Sequence, residues 1–188
     1  MHKYQITGSI TGGLLAILFL CLFLSAYPAA AGEPDKNMSA EEWLMKGILF
    51  EEMGTSRLAK RAYTKAIKMN PTYAAAYYYR GISYMEMEEI RPAIRDFSRA
   101  IQLNPNEAAY RFNRGMAYGK CEEFRLAMSD FNKAIEIDEQ YAPAYFWLGI
   151  VQRMFGDVQV GIDNMKVAAG LGYKDAQTYL RSRLIRWD

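Results

Sequence analysis

The chain matches itself at a shift of 34 residues. Gly47, Gly81, Gly115 and Gly149 stand one period apart, and so do Ala66, Ala100, Ala134 and Ala168. Ala59, Ala93 and Ala127 form a third series, which Gly161 closes. A period of this length constrains the fold more than any composition value does. Each copy is then one supersecondary unit that cannot cover its own apolar face and must stack on its neighbours.

Each unit reads as two amphipathic helices joined by a tight turn. In the second unit, Tyr77, Tyr78, Ile82, Tyr84 and Met85 recur at helical spacing. After Glu88-Glu89 the pattern resumes at Ile90, Ala93, Ile94, Phe97, Ala100 and Ile101. Spacings of three and four put such residues on one stripe. Asn104-Pro105 stops the second helix, because the residue before proline is pushed out of the α region. The repeated glycines let the two helices of a unit approach. The alanines leave room for large neighbours such as Tyr63, Phe97 and Phe131. The pattern predicts helices near 40–53, 56–69, 74–87, 90–103, 108–121, 124–137, 142–155 and 158–171, and a ninth over 175–186. Gly54 and Gly156 serve two of the tight turns. Ser39 and Glu42 are placed for a capping box, with Met38 and Trp43 as its hydrophobic staple.

With Trp43, Gly47, Phe50, Ala59, Tyr63, Ala66 and Pro71 in the first unit, and Tyr77, Gly81, Tyr84, Ala93, Phe97, Ala100 and Pro105 in the second, the chain resembles the tetratricopeptide repeat family. The third unit departs from the pattern at Arg111 and Glu139. The fourth departs at Gly161, Met165 and Tyr173. The resemblance implies an all-α fold, a right-handed α-solenoid of helix-turn-helix units with a C-terminal capping helix. The units fall at 40–73, 74–107, 108–141 and 142–175, the last of them degenerate. A linker over 32–39 precedes them and the capping helix over 176–188 follows. In that helix Ala176, Tyr179, Leu180 and Leu184 make the apolar stripe.

Residues 1–31 stand apart from the repeats. Lys3 gives a positive start, 14–24 is an unbroken apolar run, and Ala29-Ala30-Ala31 provides an A-x-A site. These are the three parts of a secretory signal peptide. The expectation is an exported, periplasmic or secreted protein. The alternative is a retained anchor, since 10–31 is long enough to span a bilayer. Lys3 is the only charged residue before Gly32, so the remainder is close to neutral in a chain of net charge +2. Nucleic-acid binding, which needs a concentrated basic surface, is therefore not expected.

Little in the sequence supports chemistry. His2 is the only histidine, and Cys121 is the only cysteine after residue 31. That removes Ser-His and Cys-His nucleophile systems and most zinc or haem ligand sets. Acidic pairs such as Glu51-Glu52 and Glu88-Glu89 sit at helix ends, where a solvated role is expected. No enzyme activity, cofactor, metal or small-molecule substrate is anticipated, and Cys121 reads as an inert, partly buried thiol. Arg80 and Arg114 each have an aspartate sixteen residues on, Asp96 and Asp130, and the two types occur together or not at all. Each pair is expected to bond within its unit.

The resemblance also assigns a groove to the first helices. Its candidate residues are Leu44, Tyr78, Phe112 and Phe146 at one level and Ile48, Ile82, Met116 and Ile150 at another, with Met85 beyond. Met45, Tyr79, Asn113 and Trp147 lie between. An apolar groove suits a helix or extended peptide of a protein partner. The two-carboxylate clamp of chaperone-binding relatives would need lysine at Leu44 and asparagine at Ile48, so an acidic chain terminus is not the expected ligand. The function implied is an adaptor or scaffold, by analogy one serving cell-envelope assembly. The alternatives are a homo-oligomer whose C-terminal helix, with Trp187 as anchor, enters the groove of another copy, and a membrane-anchored scaffold that retains residues 1–31.

Overall fold

The structure is a computed structural model and describes residues 37–187. The signal or anchor expected over 1–31 lies outside the described residues. Among those described there are nine helices and no strand: α1 (Ala40–Glu52), α2 (Ser56–Met69), α3 (Ala74–Glu86), α4 (Ile90–Leu103), α5 (Ala108–Lys120), α6 (Phe124–Ile137), α7 (Ala142–Met154), α8 (Val158–Gly170) and α9 (Lys174–Ser182). None is long and apolar enough to cross a membrane. The helices pair as α1/α2, α3/α4, α5/α6 and α7/α8, and each pair packs on the next to form an all-α repeat solenoid.

The glycine series has an atomic cause. A Cβ on Gly47 would lie 2.2 Å from the Tyr63 ring, on Gly81 2.6 Å from Phe97, and on Gly115 2.7 Å from Phe131. Each first helix therefore rests its glycine on the aromatic ring of its own second helix, and those rings are wholly or almost wholly buried. In the fourth unit Met165 takes the place of the ring. Gly161 stands there instead of alanine because a Cβ would meet the Arg153 stem at 2.4 Å and the Gly149 carbonyl at 2.6 Å.

Two kinds of turn alternate. Within a unit the chain closes through a residue in the left-handed region, at Gly54 (φ 71°), Glu88 (59°), Glu122 (60°) and Gly156 (94°). The amide that follows donates back to the preceding helix, as from Glu89 to the Tyr84 carbonyl at 2.9 Å. Between units, the side chains of Asn70 and Asp138 accept from the amides of Thr72 and Gln140 at 3.1 and 2.9 Å. This local bond closes the third unit where Glu139 replaces proline. The Ser39–Glu42 capping box forms in both directions, and Met38 packs against the cluster holding Trp43.

The last helix is shorter than expected. Ala176 and Leu180 are fully buried, but the chain turns out of α9 at Leu184 (φ 59°). The amides of Leu184 and Ile185 close that turn on Arg181 and Leu180 at 3.1 and 3.0 Å. Leu184 is consequently 95% exposed and does not belong to the buried stripe.

Candidate functional site

Successive first helices, α1 with α3 and α3 with α5, meet more extensively than successive second helices do. Crowding of this kind marks the inner side of a curve, so α1, α3 and α5 line the inner face, and the repeat puts α7 at the equivalent place. Their glycines fix the rotation of each helix against its partner, and this sets which residues point inward.

The structure divides the candidate groove residues. Leu44 and Phe146 are only 7% and 8% exposed. The Tyr78 ring lies 4.7 Å from Tyr110 and 6.0 Å from Phe97. Phe112 lies 5.7 Å from Phe131 and 5.3 Å from Tyr141, and Phe146 lies 5.4 Å from Tyr173. Each aromatic of this level touches its own second helix or the opening of the next element, or both. The level is a seam between units, and Leu44 and Phe146, groove candidates by the resemblance, are almost wholly covered there. A family position fixes where a side chain stands on its helix, whereas the following unit decides how much of it is covered.

Ile48, Ile82, Met116 and Ile150 are half-buried at a second register, and Met85 is likewise half-buried. Between the two registers Met45 is exposed, while Tyr79, Asn113 and Trp147 are half-buried. Together they form an apolar band that runs from unit to unit across the inner face. Its polar points are held within the protein: the Asn113 amide donates to the Tyr78 hydroxyl at 3.2 Å and to the Ala109 carbonyl at 2.8 Å. Burial pushes the Tyr78 hydroxyl far above its ordinary range and the Tyr141 hydroxyl up to about 12. Both stay neutral at physiological pH and act as weak dipoles. Two shallow clefts lie elsewhere, one of about 480 Å³ beside Leu184 and Trp187 and one of about 330 Å³ beside Phe124 and Phe155. The band is therefore a surface to lay a chain along, not a pocket for a small molecule.

Both expected ion pairs are present. Arg80 Nε and an Nη donate to the two Asp96 oxygens at 2.7 and 2.8 Å, and Arg114 to those of Asp130 at 2.7 and 2.7 Å. A contact not foreseen completes each site. The other Nη donates to Thr64 or Ser98 on the second helix of the preceding unit, at 3.2 or 3.1 Å. The arginine thus fastens two units as well as two helices. Burial disfavours the Arg80 charge, yet the aspartate beside it outweighs this and raises the guanidinium above its ordinary range.

Two other features were not legible as read. Glu51 is half-buried on the seam between α1 and α3, not solvated. Its carboxyl accepts from Ser83 and from Ser56 at 3.2 Å, and the Ser56 hydroxyl also lies 2.5 Å from the Glu86 carboxyl. Burial, and then the neighbouring Glu86, pushes it up to about 7. The near-neutral net charge also conceals a segregated one. Arg57, Arg91 and Arg125, then Arg61 and Arg95, then Lys65, Arg99 and Lys133 are all exposed on α2, α4 and α6. The absence of a concentrated basic surface, inferred from net charge, is corrected here. The signal was available as basic residues at i, i+4 and i+8 in the first two units, and at i and i+8 in the third, where Ser129 stands between Arg125 and Lys133. Cys121 is half-buried with its thiol free. Among the described residues no three His, Cys, Asp or Glu gather as a metal site.

Comparison with known proteins agrees with this architecture. Sequence profiles described as tetratricopeptide repeat match residues 44–86, 74–107 and 108–141, together more than half of the chain. A search among curated proteins gives no match. A crystal structure of MamA superposes with a TM-score of 0.69 at 23% identity, covering 92% of this chain and 99% of that one. Another, of MamA protein, gives 0.66 at 26%, covering 73% and 75%. The first TPR of Spaghetti (RPAP3) bound to the HSP90 peptide SRMEEVD gives 0.62 at 20%, covering 63% and 94%. The chain belongs to the tetratricopeptide repeat family, and its stack of helix pairs is a protein-interaction scaffold.

Proposed function

We propose that this protein is a non-enzymatic adaptor that holds a helix or extended segment of a protein partner along the apolar band of its inner face. The observation that carries this is the unit-to-unit row Ile48, Ile82, Met116 and Ile150, half-buried at one register of the four first helices, with Met45 exposed beside it. A continuous apolar surface of this kind marks an interaction site, and Met45, Met85 and Met116 let it adapt to its ligand. RPAP3 offers a solved case of a peptide on the same fold. An acidic terminus such as that peptide's is not the ligand proposed here, because Leu44 is buried and Ile48 supplies no donor. An exported adaptor working in cell-envelope assembly is part of the same proposal. It rests on residues 1–31 as sequence, and the N-terminal sequence of the mature protein tests it: a start near Gly32 supports export with cleavage, and a start at residue 1 or 2 favours the anchored form.

The experiment for the band is co-purification from the native cell, with the wild-type chain beside an Ile82→Glu/Met116→Glu variant of unchanged helicity. A partner retained by the first and lost from the second supports inner-face binding. Equal retention by both rejects it. Self-association through Trp187 is not favoured, because that side chain packs back on the cluster of α8 and α9, with the Arg181 guanidinium 5.7 Å from its ring.

A further inference from the structure

The outward face of α2, α4 and α6 carries a charge that the inner-face reading does not use. On these three helices the acidic residues are Asp96 and Asp130, buried against Arg80 and Arg114, and Glu136, bonded to Lys133. Arg91 is bridged to Glu123 at 2.7 Å. Arg57, Arg61, Arg95 and Arg125 are exposed and, among the described residues, have no hydrogen-bond or ion-pair partner. Residues four apart lie on one stripe with a rise of about 6 Å, and the repeat sets the stripes of successive units side by side. Like charges held this close repel, and a polyanion placed against them relieves that repulsion.

We propose that this outward face docks on an anionic lipid bilayer, with headgroup phosphates over the rows of guanidinium groups. Guanidinium forks match phosphate geometry, and four of the unpartnered cations are arginines, with Lys68 exposed beyond them on α2. The exposed residues of the three helices include no aromatic ring, so the stacking platform that single-stranded nucleic acid needs is missing. They do include Leu58, Met69 and Leu126 beside the cations, the mixture of aliphatic and basic side chains that suits a bilayer interface. The stretch 10–31, long enough to span a bilayer, would hold the chain at a membrane if it is retained. Docked in this way, the inner face stays open to its partner.

The test uses the full chain with a polarity-sensitive dye at Ser129, an exposed position among these arginines, in a Ser129→Cys variant with Cys21→Ser and Cys121→Ser. Vesicles of phosphatidylglycerol and phosphatidylcholine are compared with phosphatidylcholine alone. Because the dye reports on the outward face, insertion of 10–31 into either vesicle does not produce the signal. The expected result is a blue shift with the anionic vesicles only, lost when salt is raised to about 0.5 M, where screening is short-ranged. Arg57→Glu/Arg95→Glu/Arg125→Glu should raise the lipid concentration at half-response at least about tenfold. The Gln versions should act in the same direction and replace the Glu variant if it folds poorly. An equal response to both vesicles, or an unchanged midpoint in the folded variants, overturns the proposal. A response to polyuridylate or polyglutamate without one to anionic vesicles overturns it too, in favour of nucleic acid or an acidic protein.

Discussion

Gly115 and Gly119 lie one helical turn apart, and the structure gives them opposite expectations. A Cβ at Gly115 would meet Phe131 at 2.7 Å, whereas nothing stands within 4 Å of one at Gly119. Gly115→Ala should therefore lose about 1–3 kcal/mol through overpacking, and Gly119→Ala should gain up to about 1 kcal/mol through helix propensity. Urea unfolding of the two variants checks this, and equal effects would show that the ring is not what excludes the methyl group. Glu88 and Glu122 occupy the left-handed turn position that glycine fills in the first and fourth units. Glu122→Gly should stabilise by about 1 kcal/mol, since a side chain with a Cβ is strained there. The 34-residue period showed that a turn closes at these positions. It could not show that glutamate would be accepted there, because neighbouring packing decides whether that strain is tolerated. The pairing of Arg114 with Asp130 was legible because the two vary together between units. The third partner, Ser98, lies in the preceding unit, and its contact depends on how the two units stack. In a double-mutant cycle, Arg114→Leu with Asp130→Asn should show coupling of about 1–3 kcal/mol, and coupling near zero would mean that the pair holds nothing.

Between elements, the seam of α1 and α3 depends on a proton. Ser56 opens α2, Glu51 ends α1, and Ser83 and Glu86 stand in the last turn of α3, so three helices meet at two carboxyl groups. Burial holds the Glu51 carboxyl up to about 7, against an ordinary value of 4.5. The folded seam thus binds a proton more tightly than the unfolded chain does. By linkage its contribution to stability is full below about pH 4.5 and is lost as pH rises through 7. Glu51→Gln, which keeps the size and removes the charge, should raise the melting temperature at pH 8 and flatten the fall between pH 5 and 8. A parallel pH profile in the variant would remove the proton from the account. The boundaries of the first eight helices were legible to within a residue or two, because apolar spacing and turn residues are local. The meeting of Glu51 with Glu86 was not, since it depends on how the first unit rotates against the second. The basic face was partly legible, since α2 carries Arg57, Lys60, Arg61, Lys65 and Lys68 and no acidic residue, but only stacking brings α2, α4 and α6 into one surface. It also explains why Leu44 and Phe146, inner-face by register, are covered. Register fixes the direction of a side chain, whereas the next unit decides how much of it stays open.

At the scale of the molecule, stability is a chain of neighbouring seams. Trp43 and Tyr63 gather one cluster, Phe97 and Ala117 another, Ile101 and Tyr110 a third, Phe131 and Leu148 a fourth, and Phe146 and Met165 the last. No cluster reaches from the first unit to the fourth, so disturbance at one end should stay there, as nearest-neighbour stacks behave. The C-terminal end tests this best. Ala176 and Leu180 of α9 are fully buried against Met165, Ala168 and Ala169 of α8, and without them α8 has no further unit to cover it. Leu180→Ala should cost about 2–5 kcal/mol locally, the range for a large-to-small change at a buried site. Hydrogen exchange should accelerate through α7, α8 and α9 and stay unchanged in α1 to α4. Uniform acceleration would make the stack one cooperative unit and contradict the seam-by-seam account. If the effect stays local, the first three units keep both their apolar inner band and their basic outer face, and the fourth serves them as a lid on the end of the core.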